Sequence, residues 1–252
     1  MEKEFFEEPT ELEDIDIINE IRNENIVIFT KNLFKNYEIG DFVVKAVCDV
    51  NLKIKERDFI VFKGPSGAGK TTLLNLIGGL DSPKEGKIFS NGVKITDLHE
   101  ESLSLFRLIN TGFVFQNYNL ISTLTAEENV MFPMKLAGMS LKDQRKIATS
   151  LLKKIGLGDR REHLPFQLSA GEQQRVAIAR ALANNPPIIL ADEPTANLDK
   201  KTTMFIRDLF NDMKKEGKTI IIATHEDFLI TLANRVINFE DGKITSEEKL
   251  GL

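Results

Sequence analysis

Residues 64–71 read Gly64-Pro65-Ser66-Gly67-Ala68-Gly69-Lys70-Thr71, a G-x-x-x-x-G-K-T string between the apolar run 59–62 and a helical pattern that begins near Lys70. Glycines at this spacing let the backbone turn tightly enough for successive N–H groups to converge on one anion. A helix that follows adds the positive end of its dipole. The geometry demands a strand, a loop and a helix in direct succession, which places the chain among α/β folds. The helical pattern carries Leu73, Leu74, Leu76 and Ile77 on a buried side and stops at Gly78-Gly79. A loop of this kind is built for a nucleoside triphosphate. Lys70 is expected to reach the β and γ phosphates and Thr71 to ligate Mg2+, with contacts running from Gly64 through Thr72.

A second apolar run, Ile188-Ile189-Leu190-Ala191, delivers Asp192 and Glu193 at its end, where α/β sheets bind ligands. Asp192 is placed to hold Mg2+, and Glu193 to polarise the water that attacks the γ-phosphate. A third run at 219–223 follows the helix-like stretch 201–215, an alternation that produces a parallel sheet. Ahead of these, 26–30 and 43–54 read as strands and 124–183 mainly as helix.

With 252 residues, 42% of them hydrophobic, the chain holds one sizeable α/β domain plus an appendage. No apolar run approaches the roughly 20 residues needed to cross a bilayer. The start, Met1-Glu2-Lys3-Glu4, lacks the basic-then-apolar order of a secretory leader, so the chain is expected to remain where it is made. The net charge of −5 divides unevenly: residues 1–25 carry ten acidic and two basic side chains, the remainder 28 acidic and 31 basic. A nearly neutral body without a concentrated basic face argues against a nucleic-acid partner. Residues 1–25 read as an acidic extension ahead of a body at 26–252. Within it Thr10 and Glu13 fit a capping box, and Leu12, Ile15, Ile18 and Ile21 recur every three residues. This is compatible with a short amphipathic helix, either folded back on the body or touching a partner. The single cysteine, Cys48, reads as a small buried hydrophobe in a strand.

The most specific string is Leu168-Ser169-Ala170-Gly171-Glu172-Gln173-Gln174-Arg175, followed by Val176-Ala177-Ile178-Ala179-Arg180. It resembles the signature of the ABC ATPases, and the family's other marks occur in family order. Tyr37 is similar to the adenine-stacking aromatic, and Gln116, after Gly112-Phe113-Val114-Phe115, to the Q-loop glutamine. Ala196-Asn197-Leu198-Asp199 resembles the D-loop, and Thr224-His225 the switch histidine. The resemblance spans about residues 26–245. Strings at 112–120, 124–130, 136–138 and 192–199 narrow it to the branch of lipoprotein-release and macrolide-export ATPases.

The resemblance implies a P-loop NTPase core with a mainly parallel sheet, an antiparallel β subdomain and an inserted helical subdomain at about 117–178. It also implies two copies paired head to tail around two ATP, with Ser169, Gly171 and Glu172 of one copy covering the nucleotide on the other. Asp199 lies at the dimer interface, His225 contacts the γ-phosphate, and Gln116 senses Mg2+ and faces a separate integral-membrane permease. Such a subunit sits in the cytoplasm, peripheral to the inner face of the membrane. A cell-division type of ABC ATPase, which signals through its membrane partner rather than transporting, is the alternative. ABC ATPases of translation or DNA repair usually carry tandem cassettes or long coiled coils, which this chain lacks. Two positions depart from the family pattern: Ala170 stands in place of a glycine and Glu172 in place of a glutamine, adding a methyl and a negative charge beside the partner's nucleotide.

Overall fold

The computed structural model describes residues 12–40 and 42–251. Three short strands form the centre, β3 (Phe59–Lys63), β7 (Ile188–Asp192) and β8 (Thr219–Ala223), and each is buried along nearly its whole length. Continuous apolar runs rich in isoleucine suit a parallel sheet covered on both faces. With β6 (Thr111–Val114), β9 (Arg235–Glu240) and β10 (Lys243–Lys249) they build a six-stranded sheet in the order β10-β9-β3-β8-β7-β6. Every pairing in it is parallel except β9 with β10.

A second, antiparallel sheet has the order β2-β1-β4-β5, built from β1 (Ile26–Ile39), β2 (Phe42–Lys55), β4 (Glu85–Ser90) and β5 (Val93–Lys94). The two sheets enclose a core of Ile28, Leu33, Ile54, Phe62 and Phe239 around the helix α2 (Lys70–Ile77). A separate core lies under α4 (Ala126–Leu136), α5 (Leu141–Lys154), α6 (Ala170–Ala181) and α7 (Lys200–Lys215), where Val130, Leu152, Ile178 and Phe210 are buried. Helices α3 (Glu100–Asn110) and α8 (Asp227–Ile230) complete the chain, with α1 (Leu12–Glu24) at its start. The expected fold class is the observed one. The strand β4, the helix α3 and the β9–β10 hairpin lie in stretches where the sequence pattern marks no element.

The loop ahead of α4 is fixed by Asn129, which is fully buried. Its carboxamide accepts from Ile121 N at 2.8 Å and donates to Leu124 O at 2.9 Å and Thr125 O at 3.0 Å. Thr125 and Glu128 close a capping box at the helix start. Cys48 departs from expectation. It stands half-buried on β2, in a groove with Lys45 and Asp49, because this part of the strand edges onto an opening rather than the core.

The helix expected in the acidic stretch forms, but on a different face. Asp14, Ile17 and Ile21 are buried, whereas Leu12 and Ile15 are exposed. A repeat of three residues falls short of a helical turn and walks around the axis, so the stripe read from sequence cannot stay on one side. The 14, 17, 21 spacing can. Thr10 of the expected capping box lies outside the described residues. Ile17 and Ile21 pack on Ile26, Phe29 and Phe89 of the antiparallel sheet, each contributing roughly 2 kcal/mol by burial. Asp14 lies between Lys87 and Lys94, 2.7 Å from each, and Glu13 pairs with Lys31 and Lys87. Glu20 and Glu24 meet Lys53 and Lys55. Helix α1 therefore straps all four strands of the sheet and neutralises their lysines.

Burial of the Asp14 carboxyl opposes its ionisation, yet the hydrogen bonds from Lys87 and Lys94 outweigh this and hold its pKa below the usual range. Hydrogen bonds from Lys31 and Lys87 bring Glu13 from 4.5 to about 2. Both carboxyls titrate lower when α1 is docked than when it is free. Docking is therefore at full strength above the ordinary carboxylate range and weakens as pH falls through it toward about 2. Amide protection factors in 12–24 are expected to be high at pH 7 and much lower at pH 3 while β3 and β8 stay protected. Equal protection of α1 at both pH values would contradict the ionic strap.

Candidate active site

Parallel register brings three segments of the chain to one edge. Phe62 of β3 pairs with Ala223 of β8, and Ala223 pairs with Asp192 of β7. The glycine-rich loop, Thr224-His225 and Asp192-Glu193 thus leave the sheet side by side at its carboxyl end, although 121 residues separate Thr71 from Asp192.

The loop is shaped by its glycines. Gly69 has φ 101°, and a Cβ there would stand 2.1 Å from the Ala46 carbonyl oxygen. At Gly64 a Cβ would stand 2.2 Å from the Phe239 carbonyl oxygen. Gly67 differs: at φ 80° its missing Cβ faces open space. Gly69 is also the N-cap of α2 and offers no side chain, which leaves the first N–H groups of that helix free for an anion. Ala68 is buried, while Pro65, Ser66 and Gly67 form the exposed rim. The Lys70 ammonium is largely buried and donates to Gly64 O and Pro65 O, both at 2.8 Å. Two neutral carbonyls do not neutralise the cation, so it is poised for an anion within reach of the loop.

The Thr71 hydroxyl lies 2.9 and 3.0 Å from the two Asp192 oxygens. Burial raises the Asp192 pKa, opposed by the Thr71 hydrogen bond and reinforced by Glu193. A hydroxyl and a carboxylate converging here are hard oxygen donors of the kind Mg2+ takes alongside substrate phosphates.

Glu193 has φ 41°, an uncommon conformation for a residue with a side chain, and its amide is held by the Ala223 carbonyl at 2.9 Å. This turn aims the carboxylate at the next strand end. Thr224 Oγ1 donates to Oε2 and His225 Nδ1 meets Oε1, each at 3.2 Å. The outer part of His225 remains exposed. A carboxylate held beside a phosphate cradle can orient and polarise a water.

Other residues singled out from sequence stand around this centre. Tyr37 on β1 donates from its hydroxyl to Asp81 at 2.7 Å, and Lys35 bonds the other oxygen of the same carboxylate at 2.6 Å. Desolvation and the Asp81 hydrogen bond raise the Tyr37 pKa, so the ring is presented as a neutral, fixed platform, with the Thr72 hydroxyl beside its own. Gln116 is exposed just beyond β6. Arg180, on α6, donates to the carbonyls of Tyr118 and Asn119 and so fixes the segment after it.

Ser169 caps α6. Its hydroxyl accepts from Glu172 N at 3.3 Å, and the Glu172 carboxylate accepts from Ser169 N at 2.8 Å. The hydrogen bond from the Ser169 amide lowers the Glu172 pKa, and its charge is turned back on the helix end. The glutamate therefore closes a capping box, a role that the departure from glutamine left unseen. Gly171 has a use inside its own chain: a Cβ there would lie 2.6 Å from the Thr202 methyl carbon. Asp199 caps α7, accepting from Thr202 N at 3.0 Å and Thr202 Oγ1 at 2.6 Å. Ser169 and Ala170 are exposed and belong to a different element from the phosphate loop.

Two residues escaped sequence reasoning. Thr224 was seen only as the neighbour of the histidine, and Gln174, buried inside α6, only as part of a string. A buried glutamine on an otherwise apolar helix face was the available signal for the second.

Fold and site together define a P-loop ATPase. Residues 47–196 match the family model described as ABC transporter, and the chain belongs to that family. It is 43% identical over 227 residues to the lipoprotein-releasing system ATP-binding protein LolD of Aquifex aeolicus, covering 90% of this chain and 96% of that one. It is 42% identical over 221 residues to the macrolide export ATP-binding/permease protein MacB of Hyphomonas neptunium, covering 88% of this chain but 34% of MacB. Among solved structures, the ATP-binding cassette MJ0796 of Methanocaldococcus jannaschii, dimeric in a post-hydrolysis state with ADP and Pi, matches with TM-score 0.85 and 45% identity, over 89% of this chain and 99% of that one. The chain is thus an ABC transporter ATP-binding subunit and an ATPase, of the LolD/MacB branch.

Proposed function

We propose that the chain works as a pair of copies that enclose two ATP and drive a separate membrane permease of the lipoprotein-release or macrolide-export type. The observation that carries this reading is Glu193, held in a strained turn between Thr224 and His225 and next to the Thr71–Asp192 pair. ATP lies along Gly64 to Thr72 with its base on Tyr37. Lys70 leaves the carbonyls of Gly64 and Pro65 for the β and γ phosphates, and Thr71, Asp192 and Gln116 would hold Mg2+. The metal supplies charge stabilisation on the phosphate oxygens. Glu193 orients the attacking water, and His225, freed from Glu193, bonds the γ-phosphate.

Ser169, Gly171 and Glu172 of the second copy cover the nucleotide from the other side, and Asp199 lies at the seam between the copies. Hydrolysis removes the anion that both copies hold, and the pair opens. The helical segment after Gln116, roughly 117–135, meets the permease. A groove of about 280 Å³ supports that contact, lined by Phe113, Phe115, Ile121, Phe132 and Leu136, beside Gln116. Among the described residues no helix is long and apolar enough to cross a membrane, which fits a subunit held at the inner face of the membrane by its partner. Residues 1–25 act as an extension on the 26–252 ATPase body, and nucleic acid has no part.

Mg2+-dependent ATP hydrolysis measured against protein concentration tests the pairing. The rate per chain is expected to climb with concentration and then level off as pairs fill. A rate per chain that stays constant down to the lowest active concentration would show that a single copy suffices. Copurification of a membrane protein with a large extracytoplasmic domain identifies the permease.

A further inference from the structure

Helix α6 touches the turn after β7 and the first turn of α7 along one face. Gly171 packs on Thr202, and one turn later Gln174 donates from Nε2 to the Pro194 carbonyl at 2.7 Å. Pro194 immediately follows Glu193 and has no N–H of its own, so this carbonyl is its one backbone handle. Gln174 is 1% exposed, and because the carbonyl only accepts, its nitrogen must be the atom that faces it. The other end of the carboxamide is not satisfied: Gln174 Oε1 and the hydroxyl of Thr195 are both buried without a hydrogen-bond partner. A half-satisfied buried polar pair at the junction of a helix and a strained turn favours a second arrangement in which it is completed. The outer end of the same helix is the exposed Ser169-Ala170 cap, and the far end of the turn is Asp199, tied to Thr202.

We propose that Gln174 is a positioning residue that joins the signature helix to the catalytic turn of the same chain, so that engagement of Ser169 and the Gly171 backbone by ATP on the partner copy sets the placement of Glu193 at the chain's own ATP. The inference rests on the paired reading above. In that arrangement each α6 has one end at one nucleotide and one flank against the residue that serves the other. A small displacement of α6 along its axis moves Pro194 through the Gln174 hydrogen bond and with it the backbone of Glu193. The Gly171–Thr202 contact, which leaves no room for a methyl, carries the same displacement to Asp199. The two ATP sites are thereby coupled within one chain.

Gln174→Met keeps the volume and removes the donor. In this variant the maximal rate of Mg-ATP hydrolysis is expected to fall about tenfold, the scale on which misplacement of a catalytic group acts, and the Hill coefficient for ATP to fall toward one. On a Glu193→Gln background, the ATP concentration that gives half-maximal dimer by size exclusion is expected to stay within about twofold, as the exposed cap is unaltered. If Gln174→Met melts far below the parent, Gln174→Leu, apolar, shorter and likewise without the donor, decides by the same readouts. A variant with the parent's rate and Hill coefficient overturns the inference. So does one whose dimerisation fails in step with its rate, since that is damage to the helix rather than lost coupling, and so does a parent that is active with a Hill coefficient of one. In these three cases the paired reading is judged separately, by its concentration dependence. A parent without turnover overturns the paired reading and the inference together.

Discussion

The Glu193→Gln variant is expected to bind Mg-ATP and to accumulate as a dimer while its turnover falls by about three orders of magnitude, within the range that a positioned general base contributes. The substitution is nearly isosteric, so the turn at φ 41° and the bond from Thr224 Oγ1 to the side-chain oxygen can persist. Only the negative charge is lost, and with it the capacity to polarise water toward the γ-phosphate. The phosphate cradle from Gly64 to Thr72, the Thr71–Asp192 pair and the Ser169 cap do not depend on that charge. Binding and pairing should therefore survive, and the dimer should persist because the anion that bridges it is not consumed. Phosphate release and size exclusion with ATP measure the two halves of the prediction. A variant that hydrolyses ATP at even a tenth of the parent rate would remove Glu193 from its assigned role.

The second large effect is expected at Gly69. In Gly69→Ala the new Cβ would begin 2.1 Å from the Ala46 carbonyl oxygen, backbone against backbone, at φ 101°. The P-loop or β2 has to yield by about an ångström, and the left-handed conformation alone costs on the order of 1–2 kcal/mol. Because Gly69 caps α2, the displacement falls on the N–H groups that are to meet phosphate. ATP affinity is expected to drop about a hundredfold, the loss of one or two charge-assisted hydrogen bonds, with a lowered melting midpoint. Gly67→Ala is the internal control: its Cβ meets nothing within 4 Å, so only the backbone strain at φ 80° remains. Binding by equilibrium dialysis should separate the two alanines. Gly69→Ala binding ATP as well as Gly67→Ala does would mean that the contact with Ala46 does not shape the loop.

The site was more legible than the scaffold that aims it. The phosphate loop and Asp192-Glu193 are legible in sequence because each pairs a short apolar strand with residue types that serve one chemistry, whereas Thr224-His225 stands out only through the family resemblance. Ser169 is legible as a helix cap, since it stands at the start of a helical pattern, whereas the cap that Asp199 makes on α7 is given by the fold. The antiparallel strand β4 and the helix α3 gave no comparable signal. Half-buried elements with few apolar positions are stabilised by neighbours remote in sequence, as Phe89 is by Phe29. Helix α1 shows the same limit more sharply. Its real face contains Asp14, a residue whose polarity argues for solvent until the lysines of β4 and β5 are seen around it.

Glu172 and Gly171 mark the division between what the chain states locally and what the fold adds. Seen in sequence, Glu172 was a charge near a nucleotide; in the structure its nearest business is the amide three residues before it. Gly171 read as room for a phosphate, and its own chain fills that room with Thr202. By itself the sequence determined the phosphate loop, the carboxylate pair and the family, because backbone conformation and residue chemistry within a few positions suffice for them. Tertiary structure alone decided that Thr71 meets Asp192, that Glu193 turns toward His225, that Gln174 holds Pro194 and that helix α1 lies on lysines. Each of these is a contact across tens of residues or more, fixed by strand register and helix packing that no local pattern encodes.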